Sequence, residues 1–237
     1  MEYFYVPSQG SEHPSAGKHL TIDGDEFNHL THVMRKNVGD AIRIVDGKGN
    51  AFDATIAEIT KRSARCLILA NHSRLHEPEI DVTVASGLLK NPSSFDFLVE
   101  KVTELGVNAI IPLVTERTIP QHAKTERWQK LALAAMKQSG RCVLPAVHEL
   151  TSFADFMSST RAGLRLIPHE KTEALSLSDI IRKEKYSSVT VCVGPEGGFS
   201  DEEIALATKA GFIPVSLGAR RLRTETAAIV AAWTVLS

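Results

Sequence analysis

Two glycine-containing loops near the C-terminus hold the residues whose types and spacing best suit a ligand site. The first loop, residues 194–199, reads Gly-Pro-Glu-Gly-Gly-Phe and follows an apolar run at 189–193 that is typical of a buried strand. The second loop, residues 217–227, begins with Leu-Gly at the end of another apolar run and continues into an arginine-rich stretch. In open α/β sheets ligands bind where strands end and helices begin, and glycines let the backbone come close to a ligand. Backbone groups and apolar side chains at such an edge suit a flat adenine with a small polar tail.

Other kinds of chemistry have less support in the sequence. The first loop is neither a Walker loop nor a GxGxxG fingerprint, which disfavours a phosphate cradle and a nicotinamide-dependent oxidoreductase, although taken alone it could be an ordinary tight turn. His29 and His32 form an H-x-x-H pair, but no carboxylate or cysteine completes a ligand set, so we expect no metal. GxSxG is absent, and Cys142 and Cys192 have no histidine close in sequence, which disfavours covalent nucleophilic catalysis.

The elements that would position the two loops alternate between strands and helices from residue 80 onward. Ser200 and Glu203 form a capping box that opens a helix, and Gly211 ends it. Apolar runs predict strands at 80–85, 107–114, 143–147, 164–167 and 189–193, and helical periodicity predicts helices that begin near residues 91, 125, 152 and 175. This alternation indicates a largely parallel sheet that is covered by helices on both faces.

The first part of the chain has a different character. Residues 41–45 and 51–59 flank a glycine-containing turn, which is typical of a β-hairpin, and residues 65–70 predict a further strand. Residues 25–35 have helical spacing, and 71–79 read as a linker. We therefore predict a small, mostly β, barrel-like domain at 1–72 and a separate α/β domain at 73–237.

Composition describes an ordinary globular protein without a membrane span or secretory signal. Hydrophobic residues make up 43% of the chain and charged residues 23%, which allows a substantial core. The 27 basic and 28 acidic residues give a net charge of −1, so any RNA binding must rely on local positive charge. The three cysteines are widely spaced and have apolar neighbours, which favours buried free thiols and a cytoplasmic location.

Several sequence blocks together resemble the bacterial 16S ribosomal RNA uracil-N3 methyltransferases. The C-terminal blocks are residues 99–107 with Pro112, Glu116-Arg117, Arg127-Trp128, residues 138–141 with Pro145, residues 194–200, Leu217-Gly218 and residues 222–227. The N-terminal block is His29-Leu30 with Val33, Met34, Arg35, Gly39 and Asp40, which is similar to the PUA-like RNA-binding domain of that family. The resemblance spans nearly the whole chain, and the joint order of the blocks is more specific than any single one.

The resemblance implies a fold, a cofactor and partners. The family belongs to the SPOUT class, so we expect a parallel sheet with a C-terminal trefoil knot after the PUA-like β-barrel. S-adenosylmethionine would be the methyl donor, with S-adenosylhomocysteine as product, and two subunits of a homodimer would together form the active site. The substrate would be a uridine N3 in the decoding region of 16S rRNA in the small ribosomal subunit. The residues that match the cofactor-binding loops are Gly194, Pro195, Glu196, Gly197, Gly198, Leu217, Gly218, Leu222, Arg223, Thr224 and Ala227.

Methyl transfer to uracil N3 suggests further roles as hypotheses. The N3 proton must leave before the nitrogen can attack, so a base or a nearby positive charge must favour the uracil anion. Arg223 is the first candidate for stabilising that anion, and Glu225 would hold Arg223 or the backbone; the general base is not identified. The candidates for RNA contacts are Arg35, Lys90, Arg117 and Arg141. Two alternatives stay open: methylation of a ribose 2′-hydroxyl or another base position, and a non-catalytic RNA-binding protein of ribosome assembly.

Overall fold

The computed structural model describes residues 2–7, 14–160, 163–169, 175–183 and 185–237. Two compact units are present. The first unit comprises Met1–Glu77 and Met136–Leu144, and the second comprises Pro78–Ala135 and Pro145–Ser237. The first unit thus includes residues 136–144, so a single boundary along the sequence cannot divide the chain into its two units.

A five-stranded sheet forms the first unit. Its elements are β1 (Tyr3–Tyr5), β2 (His19–Asp23), α1 (Gly24–Asn28) with a π-helical turn (His29–Val33), β3 (Ala41–Val45), β4 (Asn50–Ile59) and β5 (Ser63–Ser73). The strand order is β1-β3-β4-β5-β2, in which only β1 and β3 run parallel. The predicted hairpin is present as β3 and β4, and the predicted helix corresponds to α1 and the π-helical turn.

One hydrophobic core lies against this sheet. Alternate residues of the strands point to the same side, and their apolar members pack with Phe27 and Leu30 from the helical segment. The strand residues of this core are Phe4, Ile22, Ile42, Ile44, Phe52, Ala54, Ile56, Ala64, Cys66 and Ile68.

The predicted linker at 71–79 is partly wrong. Residues 71–73 belong to β5, where Asn71 pairs with Phe52 and Ser73 pairs with Asn50. Further along, the side chain of Glu77 is fully buried and ion-paired. A scarcity of large apolar residues indicates a linker only when the polar groups of the segment face water. Here the backbone and one carboxylate have partners within the protein.

A parallel sheet forms the second unit, as the sequence predicts. Its strands are β6 (Asp81–Gly87), β7 (Ala109–Val114), β8 (Ala146–Val147), β9 (Thr151–Ser152), β10 (Leu164–Pro168), β11 (Ser188–Val193) and β12 (Ile213–Val215). Their order is β12-β10-β11-β6-β7-β8, with β9 also pairing with β7, and every pair is parallel. The helices are α2 (Pro92–Leu105), α3 (Thr125–Ser139), α4 (Phe153–Ser159), α5 (Leu177–Ile181), α6 (Asp201–Lys209) and α7 (Thr224–Leu236).

Local sequence signals set several helix ends. The Asn91 side chain accepts the amide of Ser93 at the start of α2, and Gly106 ends that helix with a left-handed φ of +113°. The predicted capping box of Ser200 and Glu203 is formed at the start of α6. Helix α5 begins two residues after its predicted start near 175, and the strand predicted at 143–147 is reduced to β8.

Helices cover both faces of the parallel sheet. Ala85, Leu113, Ile167 and Cys192 pack with α4 and α6 in one core on one face. Because successive strand residues point to opposite faces, their neighbours in β6, β10 and β11 point to the other face, where α7 packs on β6 and β11 and also contacts α2 and α5. Within the ranges that the structure describes, no helix is both long enough and apolar enough to cross a membrane.

The three cysteines are buried free thiols, as predicted. Burial raises the pKa of Cys66 from 9.0 to about 11, and burial together with the Glu77 charge raises the pKa of Cys142 to about 11.

We therefore expect no reaction of the native protein with a disulfide reagent at pH 8, and full reaction after unfolding in urea. Because the unfolded thiols ionise near pH 9.0 and these two folded thiols near 11, the free energy of unfolding should fall as pH rises through this window. Rapid labelling of the folded protein would contradict the burial.

Candidate functional site

The two glycine-containing loops line one cavity in the second unit. Its volume is about 1010 Å³, at the upper end of the roughly 300–1,000 Å³ that is typical of small-molecule sites. Every residue predicted from the cofactor-binding loops lines this cavity, namely Gly194, Pro195, Glu196, Gly197, Gly198, Leu217, Gly218, Leu222, Arg223, Thr224 and Ala227.

The order of the strands explains why loops that are distant in sequence meet. All strands of the sheet are parallel, so their carboxyl ends lie at the same edge. The first loop follows β11 and the second follows β12, and β10 lies between these two strands. Pro168 and His169 at the end of β10 therefore line the cavity between the loops.

A buried hydrogen bond joins the two loops directly. The hydroxyl of Thr224 donates to the carbonyl oxygen of Gly194 at 2.9 Å, and Thr224 is 6% exposed. Thr224 is the first residue of α7, so the bond fixes the start of that helix against the end of β11. A buried hydroxyl without this partner would carry a desolvation cost.

Two glycines give the loops their open inner surface. Gly198 has φ +69° and Gly218 has φ +111°, a left-handed conformation that other residues rarely adopt. A Cβ atom at either position would meet no protein atom within 4 Å. Backbone groups are thus exposed to a ligand at these points, as the sequence predicts.

A third segment, which follows β7, contacts the first loop through a side chain. Arg117 donates from Nη1 to the carbonyl oxygen of Gly197 at 2.8 Å. A Cβ atom on Gly197 would lie only 3.1 Å from the Cβ atom of Arg117, so a larger residue here would push the Arg117 side chain away. The amide of Lys90 donates to Glu196 at 2.9 Å and ties the loop between β6 and α2 to the same segment.

The predicted catalytic residues also line the cavity. Arg223 is exposed and precedes α7 as its N-cap residue, and Glu225 is half-buried in the first turn. In the described part of the chain no ion pair joins these two side chains, and the role of Glu225 as a holder of Arg223 stays a prediction. Both groups stand at the cavity, where a substrate can reach them.

The four predicted RNA-binding residues have different surroundings. Arg117 lines the cavity, and Lys90 is an exposed side chain next to the first loop. Arg35 belongs to the first unit, where it is exposed and has φ +51°. Arg141 is 2% exposed and donates to Glu77 from Nη2 at 2.8 Å and from Nε at 3.1 Å. The structure thus corrects the prediction for Arg141, because a buried, paired guanidinium is not available to a phosphate.

Several cavity residues were not predicted from the sequence. They are Asn91, Ser94, Pro168, His169 and Ser216. Their common signal is position, since each follows or lies near the carboxyl end of a strand that neighbours the glycine loops in the sheet. That signal becomes usable only when the strand order is known.

Comparisons with known proteins agree with the fold and the cavity. Residues 76–236 match the model of an RNA methyltransferase domain, and residues 22–69 match that of an RNA methyltransferase PUA domain. The chain is therefore an RNA methyltransferase by its family, with a PUA domain before the domain that carries the cavity.

Individual relatives narrow this class. The chain is 34% identical to a ribosomal RNA small subunit methyltransferase E from Synechocystis, over 90% of this chain and 71% of that protein. It is 31% identical to the Bacillus subtilis protein of the same name, over 90% of this chain and 87% of that one. The structure of the Neisseria gonorrhoeae protein of that name, bound to S-adenosyl methionine, superposes with a TM-score of 0.87 at 33% identity, and covers 98% of this chain and 95% of that chain. The chain belongs to the ribosomal RNA small subunit methyltransferase E family.

Proposed function

We propose that this protein transfers the methyl group of S-adenosylmethionine to N3 of a uridine in the decoding region of 16S rRNA in the small ribosomal subunit. One observation carries the proposal: the loops after β11 and β12 surround a single cavity and are joined by the Thr224–Gly194 hydrogen bond. The relative from Neisseria gonorrhoeae, which has the same fold over almost the whole chain, is bound to S-adenosyl methionine.

The cavity fits this cofactor. The amides of the left-handed glycines, Gly198 and Gly218, donate within their own loops, and the open space beside these glycines would let an adenine or a ribose approach the backbone closely. Leu217, Leu222 and Ala227 add apolar surface for a flat base. When bound, the sulfonium supplies an activated methyl group, and the loops would hold it in line with an attacking nitrogen.

Arg223 is the residue that we assign to the reacting base. Its guanidinium is exposed at the cavity, and a positive charge there would stabilise the uracil anion that forms when the N3 proton leaves. Glu225, two residues further on, would hold Arg223 or the backbone. The target base has to leave its stack to reach the methyl group.

Local positive charge would bind the RNA, because the net charge is only −1. Arg117 and Lys90 are placed near the cavity in the second unit, and Arg35 is exposed in the PUA-like unit. Contacts of this kind position the RNA backbone, while the cavity selects the base.

We also propose the assembly that the family resemblance implies. The resemblance implies a trefoil knot in the C-terminal domain, which would hold the cofactor. Two such chains would form a homodimer that completes the active site. Buried free thiols suit the reducing conditions of the cytoplasm.

Replacing Gly198 by valine tests the cofactor site. The new side chain would project from a left-handed backbone toward the open cavity, so we expect affinity for S-adenosylmethionine to fall about tenfold or more, which corresponds to 1.4 kcal/mol or more. Isothermal titration calorimetry measures this directly. Gly39→Val is a matched control, because Gly39 has φ +95° and equally open space but lies in the first unit; it should cost stability without changing cofactor affinity. Equal affinity in both variants and wild type would contradict the placement.

The function itself is tested by methyl transfer to RNA. Small ribosomal subunits from cells that lack the enzyme are incubated with the protein and labelled S-adenosylmethionine, and the labelled nucleoside is identified by mass spectrometry. We expect 3-methyluridine from a single site in 16S rRNA. Label on a ribose 2′-hydroxyl or on another base would overturn the N3 assignment, and no transfer despite cofactor binding would overturn the activity.

A further inference from the structure

Glu203 is a buried carboxylate that the chemistry described above does not use. It is 9% exposed, and each of its oxygens accepts a backbone amide from a different segment. Oε2 accepts the amide of Ser200 at 3.0 Å, which is the capping box. Oε1 accepts the amide of Glu116 at 2.9 Å, 87 residues away in the sequence. One side chain therefore connects the segment after β7 to the start of α6.

The segment that Glu203 holds is a tight turn that carries Arg117. The hydroxyl of Thr118 accepts the amide of Thr115 at 2.9 Å, and both threonines are buried. Arg117 then donates to Gly197 from Nη1 and covers that glycine closely. Because the turn is locked on itself, the bond to the amide of Glu116 fixes where the neighbouring Arg117 stands.

The strand order places this arginine away from the second glycine loop. Arg117 follows β7, and the order β12-β10-β11-β6-β7 puts three strands between β7 and β12. The cofactor side of the first loop has its own support in the bond between Thr224 and Gly194. The two sides of the cavity are thus held by different contacts.

We propose that Glu203 is a positioning residue that holds Arg117, the candidate RNA contact at the cavity, so that it governs the use of the RNA substrate more than the binding of the cofactor. This inference rests on the proposed methylation of RNA and adds a residue that acts on it through Arg117. The sequence predicts only the capping role of Glu203, since its second bond joins segments that are far apart in the chain.

Glu203→Gln tests whether Glu203 affects the RNA substrate or the cofactor, and it changes the size of the side chain little. Glutamine offers one oxygen, and its NH₂ group would face one of the two backbone amides as a second donor. We expect kcat/KM for small ribosomal subunits to fall about tenfold, mainly through a higher KM, because a hydrogen bond to a charged group is lost. Affinity for S-adenosylmethionine should stay within about twofold of wild type. The matched control is Glu202→Gln, an exposed neighbour on the same helix, which should change neither.

A double-mutant cycle with Arg117→Ala distinguishes positioning from general stability. If Glu203 acts through Arg117, kcat/KM of the double variant should be less than about twofold below that of the more impaired single variant. This would be a strong departure from additivity. Additive losses in kcat/KM would overturn the proposal, and so would a loss of cofactor affinity as large as the loss in kcat/KM.

Hydrogen–deuterium exchange gives a readout that does not need activity. In Glu203→Gln the amides of residues 115–118 should exchange faster, while those of 216–222 keep their wild-type rates. Unchanged exchange at 115–118 would overturn the link between Glu203 and Arg117 even in an active enzyme. Faster exchange at 115–118 in Glu203→Gln, together with no RNA methylation by the wild-type protein, would instead contradict the proposed function and leave the structural link standing.

Discussion

Arg223→Ala should lower kcat for methylation of small ribosomal subunits by about 100- to 1,000-fold, the usual effect of removing one donor that stabilises a developing negative charge. The guanidinium is exposed at the cavity, so its loss leaves the uracil anion without a fixed positive partner. Single-turnover transfer of labelled methyl, with enzyme in excess over subunits, measures the chemical step. Arg223→Lys keeps the charge but not the planar guanidinium, and should recover part of the rate.

Two measurements separate this effect from a general loss of RNA binding. Lys209→Ala removes an exposed positive charge at the end of α6, outside the cavity, and should methylate at the wild-type rate. Affinity of Arg223→Ala for S-adenosylmethionine should change much less than kcat. A single-turnover rate close to that of wild type would remove Arg223 from the reaction.

Glu77→Ala should destabilise the protein by about 3–5 kcal/mol, the range found when one partner of a buried ion pair is removed. The Glu77 side chain is fully buried and that of Arg141 is 3% exposed. Glu77 also accepts the amides of Cys142 and Val143 at 2.8 and 2.9 Å. Its removal leaves a buried guanidinium without its counter-charge and two amides without their acceptor.

Urea denaturation, followed by circular dichroism, measures the loss. Glu79→Ala removes an exposed carboxylate two residues away and should change stability by less than about 0.5 kcal/mol. Arg141→Met in the Glu77→Ala background should restore part of the stability, because it removes the buried charge that has lost its carboxylate. A loss below about 1 kcal/mol in Glu77→Ala would mean that the pair is not a structural tie.

Local sequence signals predicted the elements that position the site. Apolar runs and periodicity indicated the parallel sheet, and Asn91, Gly106 and the Ser200–Glu203 box marked helix ends that the structure confirms. The glycine loops were identifiable because their residue types suit an open backbone at a strand end, and Gly198 and Gly218 indeed adopt left-handed conformations. These features depend on residues that are close together in the chain.

The misplaced features depend on contacts between distant residues. Arg141 looked like an RNA contact because nothing in its neighbourhood reveals Glu77, its partner 64 residues earlier. The same pairing helps to bring residues 136–144 into the first unit and made the predicted linker at 71–79 wrong in part. His169 lines the cavity because it follows β10, which lies between β11 and β12 in the sheet. Such pairings follow from tertiary packing, and the periodicity of apolar residues along the sequence does not predict them.

A crystal structure of the protein with S-adenosylhomocysteine tests the central claim most directly. We predict that the adenine lies between residues 194–198 and 217–222, with its polar atoms on backbone groups of the two loops. The sulfur atom should face the guanidinium of Arg223, where the target uridine would enter. Nucleoside density elsewhere on the protein, or an empty cavity at saturating ligand, would contradict the account.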